Sequence, residues 1–212
     1  MVTVFLGLAS NADLDYSAAL AAANQPPSTR DQVFVACGEH ARKAGRRIRE
    51  IVGAIDGVWD AHVRVYESVA VAPPHARPGG CILYNPVYMN FLMQRLLIHD
   101  GAVAEAMLYA IMAHEVGHEL HGDFSASRRQ VSSETKELQA DRFAGYTLER
   151  LNIGIDSITP YYSLAGDEFN GGQTRTGNEH GVSMSRTEAL KKGWERAQWN
   201  QPEDYQALLE DE

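Results

Sequence analysis

The sequence predicts an α+β domain, mostly helical, with a small antiparallel sheet. Three observations carry this. Four stretches show apolar residues at helical spacing: about Arg30–Ile55, Gly101–His121, Ser132–Leu151 and Ser185–Trp199. Between the first two lies a short region of alternating and β-branched character, residues 61–84. The chain has 212 residues, 44% of them hydrophobic, enough to bury one sizeable core.

The chain divides into three parts. Residues 1–30 form an N-terminal segment of uncertain role, 31–200 a single domain, and 201–212 an acidic tail. Met1 to Ala9 is apolar but short and lacks a basic flank. It reads as a first strand or helix more readily than as the remnant of a signal or anchor. Ser17–Ala23 is Ala-rich, and Pro26-Pro27 breaks any helix there.

The Arg30–Ile55 helix would bury Val33, Val35, Cys37, Ala41, Ala44, Ile48, Ile51 and Val52. Arg42, Lys43, Arg46, Arg47 and Arg49 would face water. Gly53 and Gly57 punctuate its end and the segment beyond. Ala61–Tyr66 alternates and reads as a half-buried strand, with Val69–Ala72 as a second. Pro73–Gly80 is a loop or tight hairpin connection, and Cys81–Tyr84 a third strand. Asn85-Pro86 suits the N-cap and first position of a helix running through Leu96. The helix after Gly101 stops at His121-Gly122. A polar loop at 123–131 precedes the helix capped by Ser132 or Ser133, which buries Leu138, Phe143, Ala144 and Leu148. Asn152–Asn178 is a long irregular stretch of the kind that often covers a cleft.

Net charge is −9, which argues against a nucleic-acid partner. No run reaches the roughly 18 apolar residues that span a bilayer, so no transmembrane segment is expected. The only cysteines, Cys37 and Cys81, are too far apart in sequence for a zinc-thiolate pair. A disulfide and two separate thiols both stay open. So does the compartment, with an exported (periplasmic or membrane-associated) location preferred to the cytoplasm. Oligomeric state is unspecified.

The chemistry concentrates in Ala113-His114-Glu115-Val116-Gly117-His118, an H-E-x-x-H on a helix. Histidines four apart share a face and can approach one ion together. Glu115 is placed to act on water without ligating. A catalytic zinc wants three protein ligands. Six residues past His118, where a third histidine would complete one familiar pattern, stands Phe124. His121 reads as a helix-end residue. The better third ligand is Glu137, with Asp141 four residues on and facing the same way. Asp141 can accept a hydrogen bond from the far ring nitrogen of a ligating histidine.

H-E-V-G-H followed by Glu137-Leu138-Gln139-Ala140-Asp141 resembles the gluzincin metallopeptidases. It is most similar to the family of CAAX prenyl endopeptidases and HtpX-type heat-shock proteases, in their soluble branch. The resemblance covers about residues 60–200. It implies a zincin-like fold built on that helix. It also implies zinc held by His114, His118 and Glu137, with Glu115 as general base, and hydrolysis of peptide bonds in a peptide or protein substrate by metal-activated water. His180-Gly181-Val182-Ser183-Met184-Ser185-Arg186 keeps the family's His-to-Arg spacing with Gly in place of Pro. It implies that His180 or Arg186 steadies the oxyanion. Tyr161 or Tyr162 is a further donor, and a salt bridge is the competing role for Arg186. An extended substrate would pair with a strand edge near Val69–Ala72. The rival reading is a binding or regulatory module that keeps the fold without hydrolysis; an intact Glu115 weighs against it.

Overall fold

The computed structural model describes residues 33–71, 73–96, 98–162 and 183–199. It is α+β, with a five-stranded sheet on one side of a helical layer. The strands are β1 (Phe34–Ala36), β2 (Glu39–Lys43), β3 (Arg64–Glu67), β4 (His75–Arg77) and β5 (Cys81–Tyr84). The helices are α1 (Arg46–Trp59), α2 (Pro86–Arg95), α3 (Gly101–Leu120), α4 (Ser133–Arg150) and α5 (Ser183–Trp199). Residues 1–30 and 201–212, and most of the Asn152–Asn178 stretch, lie outside the described residues.

The helix expected from Arg30 is instead a hairpin followed by a shorter helix. Val33 and Val35, expected on the buried face of that helix, are exposed, and Cys37 lies in a turn. The chain is extended here, and β1 pairs with β2 from Phe34↔Ala41 to Ala36↔Glu39. Cys37 and Gly38 form the two-residue turn with φ of 55° and 81°, as tight hairpins require. Helical periodicity takes over only at α1, which buries Ile48, Ile51, Val52 and Ile55. It runs through Gly53 and Gly57 and stops at Asp60, in the left-handed region.

The sheet is mixed, not antiparallel. Its order is β1-β2-β3-β5-β4, and β3 pairs with β5 in parallel. The reason is an extra hairpin. His75–Arg77, expected inside a loop or tight hairpin connection, is a strand that pairs antiparallel with β5 and occupies the sheet edge. That inserts β5 between β3 and β4 and fixes its direction. Val69–Val71 is not a strand. Its Val71 carbonyl is taken by the Asn85 side chain at 2.8 Å, and Ala72 lies outside the described residues. The interior strand β5, between β3 and the edge strand β4, is buried along its whole length. A Cys37–Cys81 disulfide ties the β1–β2 turn to it, across a sequence separation of 44.

α3 is buried on several sides, with Met107, Ala110, Met112, Ala113 and Val116 inaccessible to solvent. Asp100 caps it through the amides of Ala102 and Val103. α2 starts as expected, with Asn85 accepting from Val87 and Tyr88 and Pro86 at the first position. α4 is capped by Ser132. Two close approaches then set the site. Gly117 on α3 lies against Ala140 and Phe143 of α4, where an added Cβ would stand 3.2 Å from the Ala140 Cα. Gly145 of α4 and Gly193 of α5 bring those two helices into main-chain contact. Trp59 fastens α1 to the same layer. Its ring tilts against Phe143 at 4.9 Å, and its indole N–H donates to Thr147 at 2.9 Å.

Candidate metal centre

His114 and His118 stand one turn apart on α3, and the Gly117 contact lets α4 deliver Glu137 to them. The two Nε2 atoms are 3.0 Å apart. Glu137 places Oε2 3.2 Å from His114 Nε2 and Oε1 3.5 Å from His118 Nε2. A tetrahedral ion with bonds of about 2.0–2.1 Å has ligand-to-ligand edges of about 3.3 Å. The three measured edges bracket that value.

Ring chemistry supports the same fit. His114 Nδ1 meets Asp141 Oδ1 at 2.8 Å, and His118 Nδ1 meets Asp123 Oδ2 at 2.7 Å. A carboxylate on each Nδ1 assigns the neutral ring's proton there, so both Nε2 lone pairs face one point. Two facing acceptors beside a carboxylate call for a cation. Burial opposes charging His114, but Asp141 and Glu137 outweigh it and lift its pKa to about 10. His114, His118 and Glu137 can therefore hold a metal ion.

Asp141 is fully buried and accepts from three side chains. Besides His114, it takes the Tyr162 hydroxyl at 2.6 Å and Arg186 through Nε at 2.7 Å and Nη2 at 2.9 Å. Burial raises its pKa, yet Arg186 and His114 outweigh that and hold it at about 2. Arg186, buried on α5, stays charged beside it. Its Nη2 also stands 3.6 Å from Glu137 Oε2. Tyr162, buried as well, is held neutral first by burial and then by Asp141. Tyr161 packs on the core. His180 lies outside the described residues.

Glu115 points elsewhere. Its Oε2 accepts the Ala76 N–H of β4 at 2.7 Å. Burial pushes its pKa up. It lines the same cavity of about 450 Å³ as the three cluster residues. Pro73–Ala76, Phe124, Ser133 and Lys136 also line that cavity. Phe124, which stands where a third histidine would in another pattern, is half-exposed at this cavity.

Two features had weak sequence signals. Asp123 follows the Gly122 stop, whose φ of 66° turns the chain back so that residue 123 reaches the preceding helix. A polar residue just past a Gly stop is the only trace. Nothing in the sequence marks the Ala76 amide. His121 does end α3, but it is buried rather than solvated. Its ring is edge-on to Phe143 at 6.1 Å, and burial lowers its pKa to about 3.

Among the described residues, no helix is long and apolar enough to cross a membrane. No family model, curated protein or solved structure matches the chain.

Proposed function

We propose that this protein is a zinc-dependent endopeptidase of the gluzincin kind. The observation that carries the reading is a division of labour in one cavity. Two histidines and Glu137 converge on a point, while a fourth buried group, Glu115, shares the cavity without joining them. The donor set, two imidazoles and one carboxylate, suits zinc with a position left for water or substrate. Zinc bound there supplies Lewis-acid polarisation of a carbonyl and lowers the pKa of water to about 7.

Glu115 takes the proton of the attacking water and returns it to the leaving amine. The Ala76 amide holds Oε2, which leaves Oε1 for the proton. Burial raises the proton affinity of this carboxylate, as a base working near neutrality needs. Arg186 and Tyr162 act through Asp141, which orients His114. His180 remains the sequence-derived candidate for the oxyanion. An extended peptide lies along the outer edge of β4, displaced from the Val69–Ala72 position that the sequence suggests. The Ala76 amide turns away from β5 there, so its carbonyl on the same edge can accept a substrate N–H. The Cys37–Cys81 disulfide suits an oxidising compartment.

The test is metal analysis of the purified protein together with Glu115→Gln. Wild type should carry one zinc per chain and cleave casein. The variant should keep its zinc and lose roughly 10²–10⁴-fold in rate. Undiminished cleavage by Glu115→Gln removes Glu115 as base. Absence of zinc, with a melting temperature insensitive to chelator, removes the metal centre.

A further inference from the structure

The two histidines are supported by carboxylates of different character. Asp141 Oδ1 is shared among His114, Tyr162 and Arg186 Nη2. Asp123 divides its oxygens. Among the described residues Oδ2 meets only His118, at 2.7 Å, while Oδ1 takes Arg128 through Nε at 3.2 Å and Nη2 at 3.0 Å. An acceptor oxygen that also serves a cation and a phenol has less electron density to give to an imidazole N–H. One that serves a single ring has more. A hydrogen bond to a strong acceptor raises the basicity of the ring's other nitrogen.

Asp123 is held from outside the metal cluster. Lys136 of α4 donates to its carbonyl at 3.0 Å, and Arg128 also reaches Gln139 of α4. The post-helix loop is thereby clamped to α4 on either side of the His118 contact. These contacts hold Asp123 without calling on the His114–His118–Glu137 cluster.

We infer that Asp123 is a positioning residue for His118, fixing its Nδ1–H tautomer and strengthening it as a ligand. This makes His118 the better electron donor of the two histidines. It also separates two jobs. Asp141 holds helices together through Arg186 and Tyr162 as well as orienting His114. Asp123 serves mainly the ion. The inference rests on the proposed zinc site and adds a residue to it.

The experiment compares zinc affinity, by competition with a chromophoric chelator, in wild type, Asp123→Asn and Arg128→Met. Asp123→Asn should bind zinc about 10–100-fold more weakly, while the melting temperature of the metal-free protein stays near wild type. Arg128→Met removes one clamp but leaves Lys136 on the Asp123 carbonyl and Oδ2 on His118, so it should lose less affinity than Asp123→Asn. A loss as large as that of Asp123→Asn with the His118 proton unmoved would overturn the inference. A second readout is the His118 Nδ1 proton in long-range ¹H–¹⁵N spectra of the zinc-loaded protein. It should sit far downfield in wild type and move upfield in Asp123→Asn, which a purely structural role would not produce. Equal affinity and an unmoved proton in Asp123→Asn overturn the inference and leave the zinc site standing. Wild type that binds no zinc overturns both.

Discussion

Adding one methyl group at Gly145 tests whether helix packing builds the site. A Cβ there would collide with the main-chain carbonyl of Leu190 on α5 and stand 3.0 Å from the Trp194 nitrogen. Main-chain atoms within a helix cannot rotate aside, so α4 and α5 must part by roughly 1.5 Å to regain normal contact. Asp141 is one turn before Gly145, and Arg186 one turn before Leu190. Their bonds of 2.7 and 2.9 Å do not survive that separation. Overpacking costs about 1–3 kcal/mol, and the weakened buried pair adds to it. Replacing a mid-helix Gly by Ala returns about 1 kcal/mol. The net is a loss of about 2 kcal/mol, or a melting temperature lower by about 4–8 °C for a chain of this size. Zinc affinity should fall with it. Gly53→Ala and Gly57→Ala are the controls. They lie in α1 with nothing within 4 Å of an added Cβ, so each should gain up to about 1 kcal/mol. Thermal unfolding followed by circular dichroism reads all three. A Gly145→Ala protein as stable as wild type would refute the α4–α5 contact and the route from it to Asp141.

Two other expectations concern the scaffold. Reducing Cys37–Cys81, or replacing both by Ser, removes a cross-link across a sequence separation of 44. Chain entropy puts that at about 4 kcal/mol, or a fall in melting temperature of roughly 10 °C; two free thiols by non-reducing mass spectrometry would contradict it. His121 should shape the acid limb of stability. Its folded pKa of about 3 lies below its unfolded value of about 6.5, so between those values the unfolded chain binds more protons. Stability should therefore decline as pH falls from about 6.5 towards 3. His121→Leu should flatten that slope in urea titrations, and an unchanged slope would show that His121 titrates normally.

The chemistry that repeats along one helix is legible without coordinates. His114 and His118 must share a face because a turn is 3.6 residues, and Glu137 and Asp141 must do the same. Local rules also suffice for the caps at Asn85 and Ser132, since a cap is a contact within three residues. The sheet was less legible. Val33 and Val35 sit at a spacing that a helix and a strand both tolerate, and the Cys37-Gly38 turn decides for a hairpin that leaves both exposed. The parallel β3–β5 pair depends on where a three-residue strand, His75–Arg77, inserts beside its neighbours. No local periodicity encodes that. The same holds for the outer parts of the site. Ala76 reaches Glu115 across 39 residues, Tyr162 reaches Asp141 across 21, and Arg186 reaches it across 45. The helix-to-helix contact among them, Arg186 to Asp141, forms where glycines at 145 and 193 let α4 and α5 close to main-chain distance, and Gly117 lets α3 approach α4 in the same way. Which helix meets which glycine is a property of the packed core, and no single segment of the chain carries it.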